Sequence, residues 1–379
     1  MKNNTWKEYF LAQITLPINR LVRDKSIVAL SISAKTGFVP QVEKFGRDIS
    51  GEQYKKYILL RRGDFAYNKG NSYTYPQGCV YRLESYDEAA VPNVFECFYA
   101  DEKIVFPLFL KQYFKANLYG KQLFRLINSG VRNNGLLNLS SRDFYSIKLR
   151  LPLIEEQRKI VEVLETWDNA ITLTKQLIEQ KKLQKKYLMQ QLLTGRTRLK
   201  GFTAYWTNTC LGTISNIYQP QTISTGDLTE KGYPVFGANG QIGFYNQFNH
   251  QTWQIMITCR GATCGTVNRT FGKAWITGNA MVINVDGHPE IDKLFLFYWL
   301  LSQNFCSIVS GSGQPQIVRS PLIKYHLHIP QNIEEQRAIA SVLAFCDKEI
   351  YLLKQKLAKL EEQKKGLMQV LLTGKVRLK

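Results

Sequence analysis

The seven cysteines of this 379-residue chain include no C-x-x-C pair; Cys79, Cys97, Cys210, Cys259, Cys264, Cys306 and Cys346 are scattered and odd in number. That spacing argues against a disulfide framework and against a zinc ribbon or finger, and it fits a reducing compartment. Long apolar runs are also missing. The longest, Leu294–Leu301, is far too short to span a bilayer. Residues 1–20 lack the basic-then-apolar pattern of a secretion signal. The expectation is a soluble, cytoplasmic protein without a membrane partner. Acid is scarce relative to base: Asp and Glu total 30 against 50 Lys and Arg, a formal net charge of +20. A field of that sign makes a polyanion, nucleic acid first, the expected partner.

Catalytic signatures are wanting too. There is no Walker A sequence and no Asn/Asp-Pro-Pro-Tyr/Phe motif of amino-methyltransferases. Gly237-Ala238-Asn239-Gly240-Gln241-Ile242-Gly243 imitates a nucleotide loop, but no acidic residue follows before Asp286, so turns are the better reading. Asp87-Glu88-Ala89-Ala90 echoes a helicase box without a phosphate loop and reads as a surface turn. Glu362-Gln363-Lys364 matches the tail of a nuclease signature but falls in a helical pattern. His326 and His328 alternate as two strand-borne ligands would, yet nothing completes a metal site, so both read as structural and no metal is expected. No catalytic residue is assigned.

What is present is a duplication. Residues 154–200 align without a gap to 333–379 at an offset of 179, with 26 identities in 47 pairs. IEEQR opens both copies, LLTG recurs at 192–195 and 371–374, and Arg198-Leu199-Lys200 matches Arg377-Leu378-Lys379. At roughly 150 residues per domain the chain has room for two or three domains. So long a period means a duplicated domain pair rather than a solenoid of short repeats. The boundaries are set at 1–153, 154–200, 201–332 and 333–379: variable region, helix, variable region, helix.

The shared segment carries a helical seam. Ile339, Leu343, Cys346, Ile350, Leu353, Leu357, Leu360, Lys364, Leu367 and Leu371 step four-three throughout, interrupted only by Lys364. The first copy keeps the period with more polar breaks and places Lys185 at the position of Lys364. Such a lysine is either tolerated by snorkelling or sets the register of a coiled coil. Asn332 with Glu335 resembles a capping box, whereas Leu153 occupies the cap position of the first copy. Gly195 and Gly374 read as terminating glycines. A helix of about 40 residues, about 60 Å long, with one apolar seam needs a partner, and the other copy is the nearest candidate.

The variable regions do not align with each other, yet both read as α/β. Ile147–Leu151, Ile255–Cys259 and Ala280–Val285 look like strands, and Lys111–Ile127 and Leu294–Leu301 like helices. Both close alike, through a polar loop to Pro152 and to Pro330. Residues 1–153 carry a net +10 and 201–332 only +2, but 231–285 contain no Asp or Glu at all and are rich in Gly, Asn, Gln, Thr and aromatics. Such a surface suits polar contacts to bases and phosphates.

These features together resemble the specificity subunit of type I restriction–modification enzymes. The resemblance rests on LPLIEEQR ending at Arg158, its echo IPQNIEEQR ending at Arg337, the paired LLTGRTRLK and LLTGKVRLK, ALSISAKTGFVPQ at 29–41, RGDFAYNK at 62–69, YPVFGANGQIG at 233–243 and Arg260-Gly261-Ala262-Thr263. It covers essentially the whole chain. It implies a mixed α+β protein with two globular target recognition domains, joined by two long helices packed as an antiparallel coiled coil with pseudo-two-fold symmetry. Each recognition domain would read one half of a bipartite, asymmetric site on double-stranded DNA. The helices would set the gap and dock two modification subunits that methylate adenine, and two motor–nuclease restriction subunits would join them. S-adenosylmethionine, ATP and magnesium would sit on those partners, with no cofactor and no catalysis in this chain.

Candidate DNA contacts are polar residues of the Gly-rich loops. They are Lys35, Gln41, Lys69, Asn71, Arg132, Asn133 and Asn134 in the first region, and Asn239, Gln241, Arg260, Asn268, Arg269, Gln314, Gln316 and Arg319 in the second. Gln157, Arg158, Gln336 and Arg337, at the helix starts, are candidates for partner docking or for buttressing the recognition domains. Two other classes compete. An enzyme would need a methyltransferase or nuclease motif, and a protein-only scaffold leaves the basic first region unexplained.

Overall fold

The computed structural model describes residues 6–34, 36–47, 49, 51–70, 75–127, 137–237, 240–311 and 313–378. The chain divides into two compact units, residues 1–174 with 356–379 and residues 175–355. Each unit holds one variable region and part of both long helices, so compactness cuts across the boundaries drawn from the repeat.

In the first unit β1 (Thr15–Pro17), β2 (Phe65–Asn68), β3 (Cys79–Arg82) and β4 (Glu96–Ala100) form an antiparallel sheet in the order β1-β4-β2-β3. Its buried face is aromatic: Phe65 stacks on Phe98 at 5.3 Å and Tyr67 on Phe144 at 4.3 Å. The helix Pro107–Lys115 packs on β3 and starts with proline, whose missing N–H costs nothing at that position. The single helix expected over 111–127 is broken in two. Asn117 has φ +53°, a left-handed conformation that no right-handed helix passes through, and a new helix begins at Gly120–Leu126. Nor is Asp87–Ala90 a surface turn. Glu88–Val91 is a strand paired with Ile58–Arg61, and Ala89 and Ala90 are fully buried.

The second unit repeats this plan with different residues. β5 (Asn216–Tyr218), β6 (Ile255–Thr258), β7 (Val267–Arg269) and β8 (Ala280–Asn284) are ordered β5-β8-β6-β7, again antiparallel. The helix Lys293–Leu301 is capped by Asp292, whose carboxylate accepts from the Phe295 N–H at 2.8 Å. It buries Phe295, Leu296, Tyr298, Trp299 and Leu300, each stabilising the fold by roughly 1.5–3 kcal/mol. Both regions are closed by a terminal strand pair that returns the chain to the start of a long helix: Lys7–Phe10 with Lys148–Leu151, and Trp206–Cys210 with His326–Pro330.

The long helices span Ile154–Leu192 and Ile333–Leu371. They run antiparallel within each unit. Lys364 meets Asp168 in the first, and Lys181 meets Glu349 and Lys185 meets Asp347 in the second, so rising numbers on one helix face falling numbers on the other. The seam residues Ile160, Leu164, Ile339, Leu343, Cys346, Ile350 and Leu371 are buried as the heptad demands. Gly195 and Gly374 take φ +71° and +72°, and a Cβ on either would press on an indole, 3.4 Å from Trp206 and 3.0 Å from Trp6. The capping box at Asn332 is half made. The Asn332 side chain accepts from the Glu334 N–H at 2.8 Å, but the Glu335 carboxylate turns inward to Arg198 and Trp206 instead.

Candidate nucleic-acid interface

In each unit the residue that follows an inner strand of the sheet is tied by one backbone hydrogen bond to a residue far along the chain. In the first unit the loop leaving β2 starts at Lys69, and the Leu137 N–H donates to the Lys69 carbonyl at 3.0 Å. In the second the loop leaving β6 starts at Cys259, and the Ile317 N–H donates to its carbonyl at 3.0 Å. Arg260 and Gln316 then face each other in an antiparallel bridge. Ser310 and Gln316 close a tight turn with two 2.8 Å backbone bonds. Gly311 is required there: its φ is +88°, and a Cβ would lie 2.5 Å from the Gln314 carbonyl oxygen. Among the described residues, Lys69 is thus bonded to Leu137, and Arg260 lies opposite Gln316.

The individual candidates fare differently. Lys35, Asn71, Arg132, Asn133, Asn134 and Asn239 lie outside the described residues. Gln41 was expected on a polar loop, but it is 1% exposed at the start of the short helix Gln41–Phe45, its amide 3.3 Å from the Tyr57 hydroxyl, and presents nothing to a groove. Lys69 is paired with Glu96 at 2.7 Å. Gln241, on the strand Gly240–Tyr245, is exposed, as are Arg260, Gln314 and Gln316. Arg260 has no ion pair among the described residues. Asn268 is half-buried on β7, and its neighbour Arg269 is enclosed by the rings of Trp253, Phe271 and Phe297 at 5.6, 5.8 and 5.0 Å. Arg319 donates its Nε to the Ile217 carbonyl at 2.6 Å, holding the loop to β5.

The helix-start glutamines are interior clamps rather than docking groups. Gln157 accepts from the Phe106 N–H at 2.7 Å and donates to the carbonyls of Ile104 and Pro152 at 3.1 and 2.9 Å. Gln336 does the same with Asp292, Glu290 and Pro330 at 2.8, 3.3 and 2.9 Å. Both are fully enclosed, and each gives three loop backbone groups a hydrogen-bond partner at the helix start. Arg158 and Arg337 remain exposed, the first 4.4 Å over Phe106, the second paired with Glu334.

The sequence reading passed over a second pair of clamps. Buried Glu335 receives Arg198, and buried Glu156 receives Arg377, with Trp206 and Trp6 against the two guanidinium groups. It also passed over Asp168 and Asp347. Burial pushes the Asp168 carboxyl up, but hydrogen bonds from Lys115, Lys364 and Gln112 outweigh it and hold it at about 2. The available signal was the offset itself, since Glu156/Glu335, Asp168/Asp347 and Arg198/Arg377 are identical pairs 179 residues apart.

His326 sits 3.7 Å from the Cys210 sulfur and His328 bonds Asn208 at 2.8 Å. His250, lowered from its usual range by burial, bonds Tyr218 and Asn249. Among the described residues no three His, Cys, Asp or Glu side chains converge as a metal site, and no helix is long and apolar enough to cross a membrane.

The family profile described as the type I restriction modification DNA specificity domain matches residues 48–182 and again residues 204–362. The chain is 26% identical over 289 residues to the type I restriction enzyme MjaVIII specificity subunit of Methanocaldococcus jannaschii, covering 67% of this chain and 68% of that protein. It is 33% identical over 138 residues to the EcoprrI specificity subunit of Escherichia coli, covering 35% of this chain and 34% of that one. In fold it is similar to a chain from a solved type I restriction–modification assembly, with TM-score 0.63, 18% identity and 98% of both chains covered. It is also similar to the S subunit of M. genitalium, with TM-score 0.61, 14% identity and 98% and 97% covered. Two matches to one domain, on two units of one plan, establish that the chain belongs to the type I restriction–modification DNA specificity family and is a specificity subunit.

Proposed function

We propose that each unit reads one half of a bipartite, asymmetric site on double-stranded DNA, and that the long helices hold the partner subunits that act on it. One observation carries the reading. The same sheet order and the same backbone tie after an inner strand occur in both units, while the surrounding residues differ. Equivalent supports with different faces suit two different half-sites. Exposed Arg260, Gln314, Gln316 and Gln241 offer donors and acceptors to base edges and phosphates, and the net charge of +20 supplies the sequence-independent attraction. Adenine inside a duplex must be flipped out before it is methylated, and that work falls to the modification subunits. Two of these with S-adenosylmethionine, and two restriction subunits with ATP and magnesium, complete the proposed assembly. Arg158 and Arg337 are the exposed cations at the helix starts for their docking.

The test is a genome-wide map of adenine methylation in cells expressing this chain with its modification subunit. A two-part motif with a fixed gap, lost when the chain is deleted, supports the reading. Exchanging residues 1–150 for those of another family member should change one half of the motif only. A change in both halves, or in neither, refutes the division of labour.

A further inference from the structure

We infer that Asp168 and Asp347 are positioning residues, each locking the two long helices and its own recognition fold into one register. In the first unit Asp168 accepts from Lys364 of the opposite helix at 2.6 Å, and from Lys115 and Gln112 of the helix Pro107–Lys115 at 2.8 and 3.1 Å. In the second Asp347 accepts from Lys185 of the opposite helix at 2.6 Å and from the Tyr298 hydroxyl at 2.7 Å. The Lys–Asp pairs are equivalent at the offset of 179, while the donors from the recognition folds are chemically unrelated. One plan thus reaches the equivalent carboxylate with different donors in its two copies.

The pairs select one register because the lysines are enclosed, with Lys364 and Lys185 side chains 5% and 15% exposed. Burial pulls the Lys364 ammonium down to about 8 against the opposing hydrogen bond from Asp168, so this charge tolerates no poorer partner. After a slip of one heptad, Lys364 would face Val161 or Lys175, and Lys185 would face Ala340 or Lys354. None of the four is an acid. Apolar seam residues alone would permit the slip, since one heptad of leucines resembles the next.

The inference rests on the two-half-site reading and concerns how strictly the gap is chosen. The test compares the methylation motif of the wild-type complex with that of a variant that removes both carboxylates and their enclosed donors, leaving half-exposed Lys115 to solvent: Asp168→Leu, Lys364→Met, Gln112→Leu, Asp347→Leu, Lys185→Met and Tyr298→Phe. Replacing enclosed lysines together with their half-buried carboxylates by apolar side chains is often neutral or stabilising. A purely structural role therefore predicts an unchanged gap. The positioning role predicts that preference for the wild-type gap over other gaps falls by about tenfold while both half-sites stay the same. A stable variant with undiminished preference overturns the inference. If the six-fold variant does not fold, Asp168→Asn with Asp347→Asn keeps shape and one acceptor each, and it must still relax the gap; no relaxation overturns the inference equally. A wild-type complex with no two-part motif overturns the half-site reading itself, a failure visible without any variant.

Discussion

Replacing Arg198 with methionine probes the clamp that fastens the second unit to the start of its helix. Glu335 is fully buried and accepts both the Nε and the Nη2 of Arg198, the latter at 2.6 Å, plus a longer bond from the Trp206 indole at 3.3 Å. The same guanidinium donates to the Ala204 carbonyl at 2.8 Å. Methionine keeps the apolar stem and removes the charge, leaving an enclosed carboxylate with one long hydrogen bond. Removing one partner of a buried pair costs about 3–5 kcal/mol. The Arg198 side chain is 29% exposed, so water reaches the vacated side and the lower figure, about 3 kcal/mol, applies. For a unit of this size each kcal/mol moves the midpoint by about 2–4 °C, so the second unit should melt about 6–12 °C lower. Calorimetry of the whole chain measures this against the wild type. The double variant Arg198→Met with Glu335→Leu should recover most of the loss, because no lone charge remains. A fall below about 2 °C in the single variant, or a double variant no better than the single, would refute the claim that burial of Glu335 is what makes the pair matter.

Gln336→Leu leaves the Asp292 N–H and two carbonyls without their amide partner, and urea unfolding should show a loss of about 2–3 kcal/mol. Arg260→Ala removes an exposed cation without an ion pair among the described residues. DNA binding should weaken by about 1–3 kcal/mol if the side chain meets a base, at one half-site only, while loss of a phosphate contact instead flattens the salt dependence by about one unit. Asp168 is held at about 2, below its ordinary 3.8, so its share of stability is complete above that ordinary value and drains away as pH falls through 2. Acid titration of Asp168→Asn should lack that limb, and an unchanged acid profile would show that Lys364 and Lys115 do not favour the carboxylate in the folded state.

Much of this molecule is written locally. The heptad seam, the terminating glycines and the duplication follow from residue types a few positions apart, so the two long helices and their ends were legible before any coordinates. Other features depend on residues far apart in sequence. One helix over 111–127 became two at left-handed Asn117, whose side chain accepts from Gln77, a partner that periodicity does not contain. Gln41 and the helix-start glutamines look like surface amides and are interior, Gln41 against the Tyr57 hydroxyl and Gln157 and Gln336 against backbone groups far away in sequence. Lys364 read equally well as tolerated or as register-setting; Asp168 opposite it favours the second. The identical sheet order of two regions without alignable sequence lies at the same limit, because long-range strand pairing is set by burial and backbone hydrogen bonding, which many sequences satisfy equally.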